Sequence, residues 1–191
     1  MLSTKSIEEL VDVVDSDGRV IATVPRSVMR RQRLPHRAVY VLVFNSHGDI
    51  LIHQRTHTKD VYPGYWDLCV GGVPQAGEDF DRAAYRETLE EIGVAATPHF
   101  LFDIQFADEH SIVHGRVYHA EHDGPFRFQQ EEIISGNFVS PAALERLRGE
   151  RPFCPDGWFV WETFRRSYHE ADRKLIIGMG VRTHPNEGFR N

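Results

Sequence analysis

Residues Gly72–Val94 read GVPQAGEDFDRAAYRETLEEIGV, a glycine-punctuated loop running into a helix crowded with acids. The pattern predicts a helix over Asp79–Ile92, ended by Gly93 where a left-handed cap is common. On a wheel advancing about 100° per residue, Glu90 and Glu91 fall within roughly 60° of Glu87. Tyr85, Thr88, Leu89 and Ile92 gather on the opposite side and are expected to face the core, leaving Glu87, Glu90 and Glu91 exposed.

A solvated stripe is the commonest fate of such a face. Three details argue for more. Glu87 and Glu91 are four residues apart, with Ala83 and Ala95 rather than a cation at the flanking positions; like charges so placed repel, and a divalent cation reverses that sign. Ala83 and Ala84 are small and are expected to leave room above the helix. The preceding Gly71, Gly72 and Gly77 let backbone approach a phosphate or lend a carbonyl to a metal. Hard carboxylate oxygens, with no thiolate or histidine cluster alongside, favour Mg²⁺ or Mn²⁺.

Outward from this segment, VDVVDSDGRVIATV reads as a hairpin turning at Asp17–Gly18, followed by a short basic helix in RSVMRRQRL. HRAVYVLVFNSHGDILIHQR is a second hairpin whose first strand, almost continuously apolar, suits the centre of a sheet covered on both faces. A loop with one short strand at Leu68–Val70 leads to the acidic helix. Strands follow in HFLFDIQF and IVHGRVYHAE, then a loop over Gly124–Gly136. Next comes a helix with Ser140 as N-cap and Pro141 as its first residue. A last helix spans Pro155–Arg173, with Trp158, Trp161, Phe164 and Tyr168 in one stripe; it is expected to pack on the sheet or on a subunit partner. The alternation implies one layered domain, α/β or α+β. Residues 1–35 belong to it as hairpin and short helix, 36–172 form its body, and 173–191 are a tail.

The chain has 191 residues, 41% hydrophobic and 26% charged, enough for one core. A net charge of −6 gives no reason to expect a nucleic-acid partner. No apolar run is long enough for a membrane span or a signal peptide, so the cytoplasm is the expected location. Cys69 and Cys154 follow no disulfide or metal spacing. The pairs His53/His57 and His110/His114 lie in strand or loop, so surface histidine is expected rather than zinc.

The segment Gly72–Val94 resembles the Nudix box at Gly72, Glu78, Arg86, Glu87, Glu90, Glu91, Gly93 and Val94, with Thr88 where an aliphatic residue is usual. From roughly Leu10 to Leu147 the chain is similar to a branch holding bacterial Nudix hydrolases and type 1 isopentenyl-diphosphate isomerases, through VDVVDSDGRVI, LPHRAVYVLVFNSHGDILIHQR and TKDVYPGYWD. The resemblance implies a Nudix α/β/α sandwich, a mixed sheet between helices with the box as loop–helix–loop. It implies hydrolysis of a phosphoanhydride in a small phosphorylated molecule, one linked to a nucleoside diphosphate being expected.

By the same likeness, Glu87, Glu90 and Glu91 hold the metal with the Gly71 carbonyl assisting. Arg86 orients the glutamates, and Glu78 ties loop to helix. Glu91 or Glu87 is the expected base, with Glu131 or Glu132 as the loop alternative. Arg55 and Gly72 are candidate substrate contacts, and Arg55 is equally suited to an ion pair. Trp66 and Asp67 line the pocket or anchor the loop. A homodimer through the hairpin or the last helix is a further expectation.

Two other readings remain. An isomerase would need a cysteine and a histidine where Gly71 and Val73 stand; Cys69 is expected on the wrong face of its strand, and His36 alone survives of that metal site. A nucleotide-sensing module would show eroded box acids, and these are intact.

Overall fold

The computed structural model describes residues 8–168. Asp15–Gly18 closes the hairpin of β1 (Leu10–Val14) and β2 (Val20–Pro25). The Asp15 carboxylate accepts the Asp17 and Arg19 amides at 2.9 Å each, and Gly18 supplies φ 78°. Helix α1 (Arg26–Gln32) follows directly, pinned by buried Met29 against Val11 and Val73. Strand β3 (His36–Phe44) is the centre of the sheet. It runs parallel to β7 (Ile112–Glu121), from His36–Val113 to Phe44–Glu121, and touches β1 and β4 (Ile50–Arg55) antiparallel at its two ends.

Strand β4 pairs with β5 (Trp66–Asp67) and β8 (Ile133–Val139), and β6 (His99–Ala107) closes the far side against β7. The short strand expected at Leu68–Val70 is β5 instead; Val70 forms only an isolated bridge to Val41. The loop expected over Gly124–Gly136 ends earlier, because Ile133 onward pairs with β4.

The alternation of β3 feeds two cores, as a doubly covered strand requires. Val39, Val41 and Val43 face α2 (Phe80–Ile92), while Ala38, Tyr40, Leu42 and Phe44 face α3 (Pro141–Leu147) and α4 (Pro155–Ser167). This is an α/β/α arrangement around a mixed eight-stranded sheet. The aromatic stripe Trp158, Trp161 and Phe164 is buried on that sheet, so the fold itself uses it. Helix α4 ends at Ser167 with Tyr168 extended; the rest of the expected helix and the tail over 173–191 lie outside the described residues. No described helix is long and apolar enough to cross a membrane.

Candidate active site

Helix α2 starts on the Asp79 side chain, which accepts the Arg82 amide at 2.8 Å, and stops on Gly93 at φ 71°. Its buried residues are Ala83, Ala84, Thr88, Glu91 and Ile92, whereas Tyr85 and Leu89 are 40% and 43% exposed. The face on the sheet is thus turned toward the acids by about one residue's rotation relative to the expected one. Ala83 and Ala84 lie under the helix and let it approach β3; they leave no room above it. Thr88 tolerates complete burial because its hydroxyl bonds the Ala84 carbonyl at 2.7 Å.

The turn of the helix carries Glu91 inward. Expected to be exposed, it is 6% exposed, and its carboxylate accepts the Gly71 amide at 3.3 Å. Burial, then the neighbouring Glu87 charge, pushes its pKa up to about 8 against the pull of Lys59 and Arg55. Burial raises Glu87 as well, opposed by Arg86. Arg86 bonds Glu87 at 2.9 Å and Glu90 at 3.0 Å. Its remaining donors grip both oxygens of Glu78, at 3.0 and 2.9 Å. Burial works against the charge on Glu78; the Arg86 bonds and the Gln75 amide outweigh it and lower its pKa.

The loop before the helix is tied to β3 by Val70 with Val41, at 2.7 and 3.0 Å, and by the Val39 amide on the Gly72 carbonyl at 2.9 Å. Gly71 has φ 152°, and a side chain there would run into the Val39 carbonyl. A Cβ on Gly72 would meet the Glu87 carboxylate at 2.7 Å. The outer arm of the loop rests on the N-terminal hairpin. The Leu10 carbonyl accepts the Ala76 amide at 2.8 Å, the Asp12 carboxylate accepts the Gly77 amide at 2.9 Å, and Arg37 donates to the Glu78 carbonyl at 2.8 Å.

Beside Gly71 and Gly72 opens a cleft. Arg26, Arg30, Arg55 and Lys59 give one wall its charge, while Tyr40, Asp67, Cys69, Cys154 and Asp156 also line it. Arg55 lines the cleft, lies 3.4 Å from Asp67 and donates to the Val61 carbonyl at 3.0 Å, so the expected ion pair is present. Asp67 accepts the Leu68 and Cys69 amides at 2.8 and 3.2 Å, and burial, then Asp156, pushes its pKa up to about 6. Trp66 anchors the loop through backbone bonds to Pro152 and Cys154.

Several expectations need correction. Cys69 lines the cleft instead of facing away, though burial raises its thiol pKa and keeps it protonated. His53 is buried in β4 between β5 and β8, with Nδ1 unpartnered among the described residues and a pKa lowered by burial to about 3; it is no surface histidine. His36 also lines the cleft, its Nδ1 on the Leu34 carbonyl at 2.8 Å and its pKa pushed down by burial to about 4. Glu132 pairs with Lys59, whereas Glu131 is exposed and contributes its backbone carbonyl to Thr56. Sequence reasoning missed Asp12, Arg30, Lys59 and Asp156, because each acquires its partners from distant segments.

The donors fit a hard divalent cation: carboxylates of Glu87 and Glu91 side by side, each raised by burial, with Glu90 one turn away on Arg86. Among the described residues no three His, Cys, Asp or Glu side chains already converge on one point. Arg86 holds Glu87 and Glu90 in the arrangement seen.

Residues 34–156 match the family model of the NUDIX domain. The chain is 41% identical over 169 residues to the uncharacterized Nudix hydrolase YfcD of Salmonella typhi, a match covering 85% of this chain and 89% of that one. It is 39% identical over 154 residues to an uncharacterized Nudix hydrolase of Pseudomonas aeruginosa, covering 78% and 88%. Among solved structures, DR0079 from Deinococcus radiodurans superposes with TM-score 0.70 at 28% identity, over 84% of this chain and all of that one. The NUDIX domain of Shewanella oneidensis NrtR, complexed with ADP-ribose, has TM-score 0.57 at 17% identity over 69% and 86%, a likeness of fold alone. On its sequence relatives and its matched domain, the chain belongs to the NUDIX family and is a Nudix hydrolase.

Proposed function

We propose that the enzyme hydrolyses a phosphoanhydride in a small phosphorylated molecule with Mg²⁺ or Mn²⁺, by attack of water on phosphorus. The observation that carries this reading is the pair of glutamates, buried Glu91 and half-buried Glu87, against the glycine loop at the edge of a cationic cleft. Nudix hydrolases generally use divalent cations. Here Glu87, Glu90 and Glu91 would hold them, with the Gly71 carbonyl assisting. The bound ion supplies charge neutralisation on the phosphate oxygens and acidifies water.

The chain's own groups do the rest. Arg86 fixes Glu87 and Glu90 through bonds of 2.9 and 3.0 Å. Glu91, with Glu87 as the alternative, takes the proton from the attacking water in its carboxylate form, which the bound cation favours. Gly72 lets the substrate approach the ridge, and Arg55 offers a cation to its phosphates. Compounds linked to a nucleoside diphosphate are the first substrates to examine.

The test is a panel of such compounds with Mg²⁺ or Mn²⁺ in ¹⁸O-labelled water. The reading predicts metal-dependent turnover with label in a phosphate product. Tight binding without turnover would instead favour a sensor, and dimethylallyl diphosphate formed from isopentenyl diphosphate would favour an isomerase.

A further inference from the structure

The cationic side of the cleft, Arg26 and Arg30 from α1 with Arg55 and Lys59, carries more positive charge than its partners balance. Arg26 pairs with Glu9 at 2.7 Å, Arg55 with Asp67 at 3.4 Å, and Lys59 with Glu132. Arg30 has no such partner. Its guanidinium reaches the Ser111 hydroxyl at 3.3 Å, and among the described residues no carboxylate lies within 4.0 Å of it. Burial pulls its pKa down and Arg26 adds to the effect, while Asp60 acts the other way from a distance. Asp156, on the cleft floor, is already engaged by the Tyr40 hydroxyl at 3.1 Å and the Gly157 amide at 3.0 Å.

The position is built. Met29 anchors α1 in the core, so Arg26 and Arg30, four residues apart, share one helix face. Ser111 is set by the Asp108 carboxylate, which accepts the His110 and Ser111 amides at 2.8 Å each and the Tyr62 hydroxyl. Arg33 holds the same turn through the Asp108 carbonyl. A guanidinium stays charged, and a partly buried one with spare N–H donors is costly unless a ligand completes it.

We infer that Arg30 and Ser111 seat a second anionic group of the substrate, a phosphate separate from the bond cleaved at the glutamates. This rests on the cleft being the hydrolytic site. It also lies partly outside the segment that the family model matches, which begins at residue 34. The substrate class is therefore a phosphoanhydride bearing a further phosphate at some distance, and neutral-tailed analogues bind less well.

The experiment titrates inorganic phosphate into the full chain freed of metal, followed by calorimetry. Wild type is expected to bind, with affinity falling about tenfold or more in Arg30→Met and recovering in part in Arg30→Lys. Ser111→Ala is expected to weaken binding a few-fold, and carries the test if Arg30→Met does not fold. With a turned-over substrate bearing a second phosphate, Arg30→Met raises KM and leaves kcat within about twofold. Equal phosphate affinity in wild type, Arg30→Met and Ser111→Ala overturns the inference, even where metal-dependent hydrolysis is established. Phosphate binding that depends on Arg30 in a protein without metal-dependent hydrolysis keeps the anion seat and overturns the hydrolytic reading instead.

Discussion

Two arginines handle buried charge in opposite ways. Arg86, beneath the acidic ridge, meets three carboxylates, Glu78, Glu87 and Glu90, within 3.0 Å. Arg30, on the α1 wall, meets a single hydroxyl among the described residues. The first is satisfied by its own neighbours, three crowded acids held in place by one cation. The second has donors to spare. On the functions proposed above, the contrast separates the residues that would organise chemistry from those that would select a substrate.

The ridge should be the more sensitive. Glu91→Gln keeps the shape but removes a proposed metal ligand and candidate base, so turnover is expected to fall by about 10² or more. Near-wild-type turnover would break the contrast. Asp12→Asn tests whether the ridge depends on the hairpin. Asp12 holds the Gly77 amide and lies 3.7 Å from Arg37, which in turn holds the Glu78 carbonyl. The Mn²⁺ concentration for half-maximal activity is expected to rise about tenfold, an effect typical of groups supporting a metal site from behind. An unchanged metal requirement would make the hairpin only scaffold.

Stability offers a third test. Glu91 is raised from 4.5 to about 8, so the fold favours its neutral form. That contribution is complete below about pH 4.5 and is lost as pH rises toward 8. Metal-free protein should therefore lose a few kcal/mol across that window, measured by urea melts. Glu91→Gln should flatten the slope, and saturating metal should reverse it. The smallest effect is expected at Leu89→Ser, within about 0.5 kcal/mol of wild type, because the helix is turned to expose this residue. A loss of 2 kcal/mol or more would restore the wheel's original core face.

What the sequence disclosed follows from the same contrast. Glu78, Arg86, Glu87, Glu90 and Glu91 are neighbours along the chain, so helical geometry and the resemblance bring them together. The hairpin turns, the central strand β3, the Ser140 cap and the Gly93 stop are likewise local, and the structure holds them as expected. The rotation of α2 was hidden because helix periodicity weighs Tyr85 and Leu89 as apolar. The sheet instead selects the small Ala83, Ala84 and Thr88, and the Gly71 amide gives Glu91 a reason to turn inward. Arg30, Ser111, Lys59, Glu132, Asp67 and Asp156 come together only through the sheet and the loops around it. The resemblance points to Asp67 and Glu132, whereas no spacing in the chain announces Arg30, Ser111, Lys59 or Asp156.

The central claim is that a divalent cation neutralises Glu87 and Glu91. Its most direct measurement is Mn²⁺ binding to the metal-free protein near pH 7, with proton release recorded by calorimetry in buffers of different ionisation heat. Because Glu91 is raised to about 8, the account predicts binding that expels a proton, and loss of both signals in Glu87→Gln/Glu91→Gln. Undiminished Mn²⁺ affinity in that double variant, with no proton released from wild type, would contradict it.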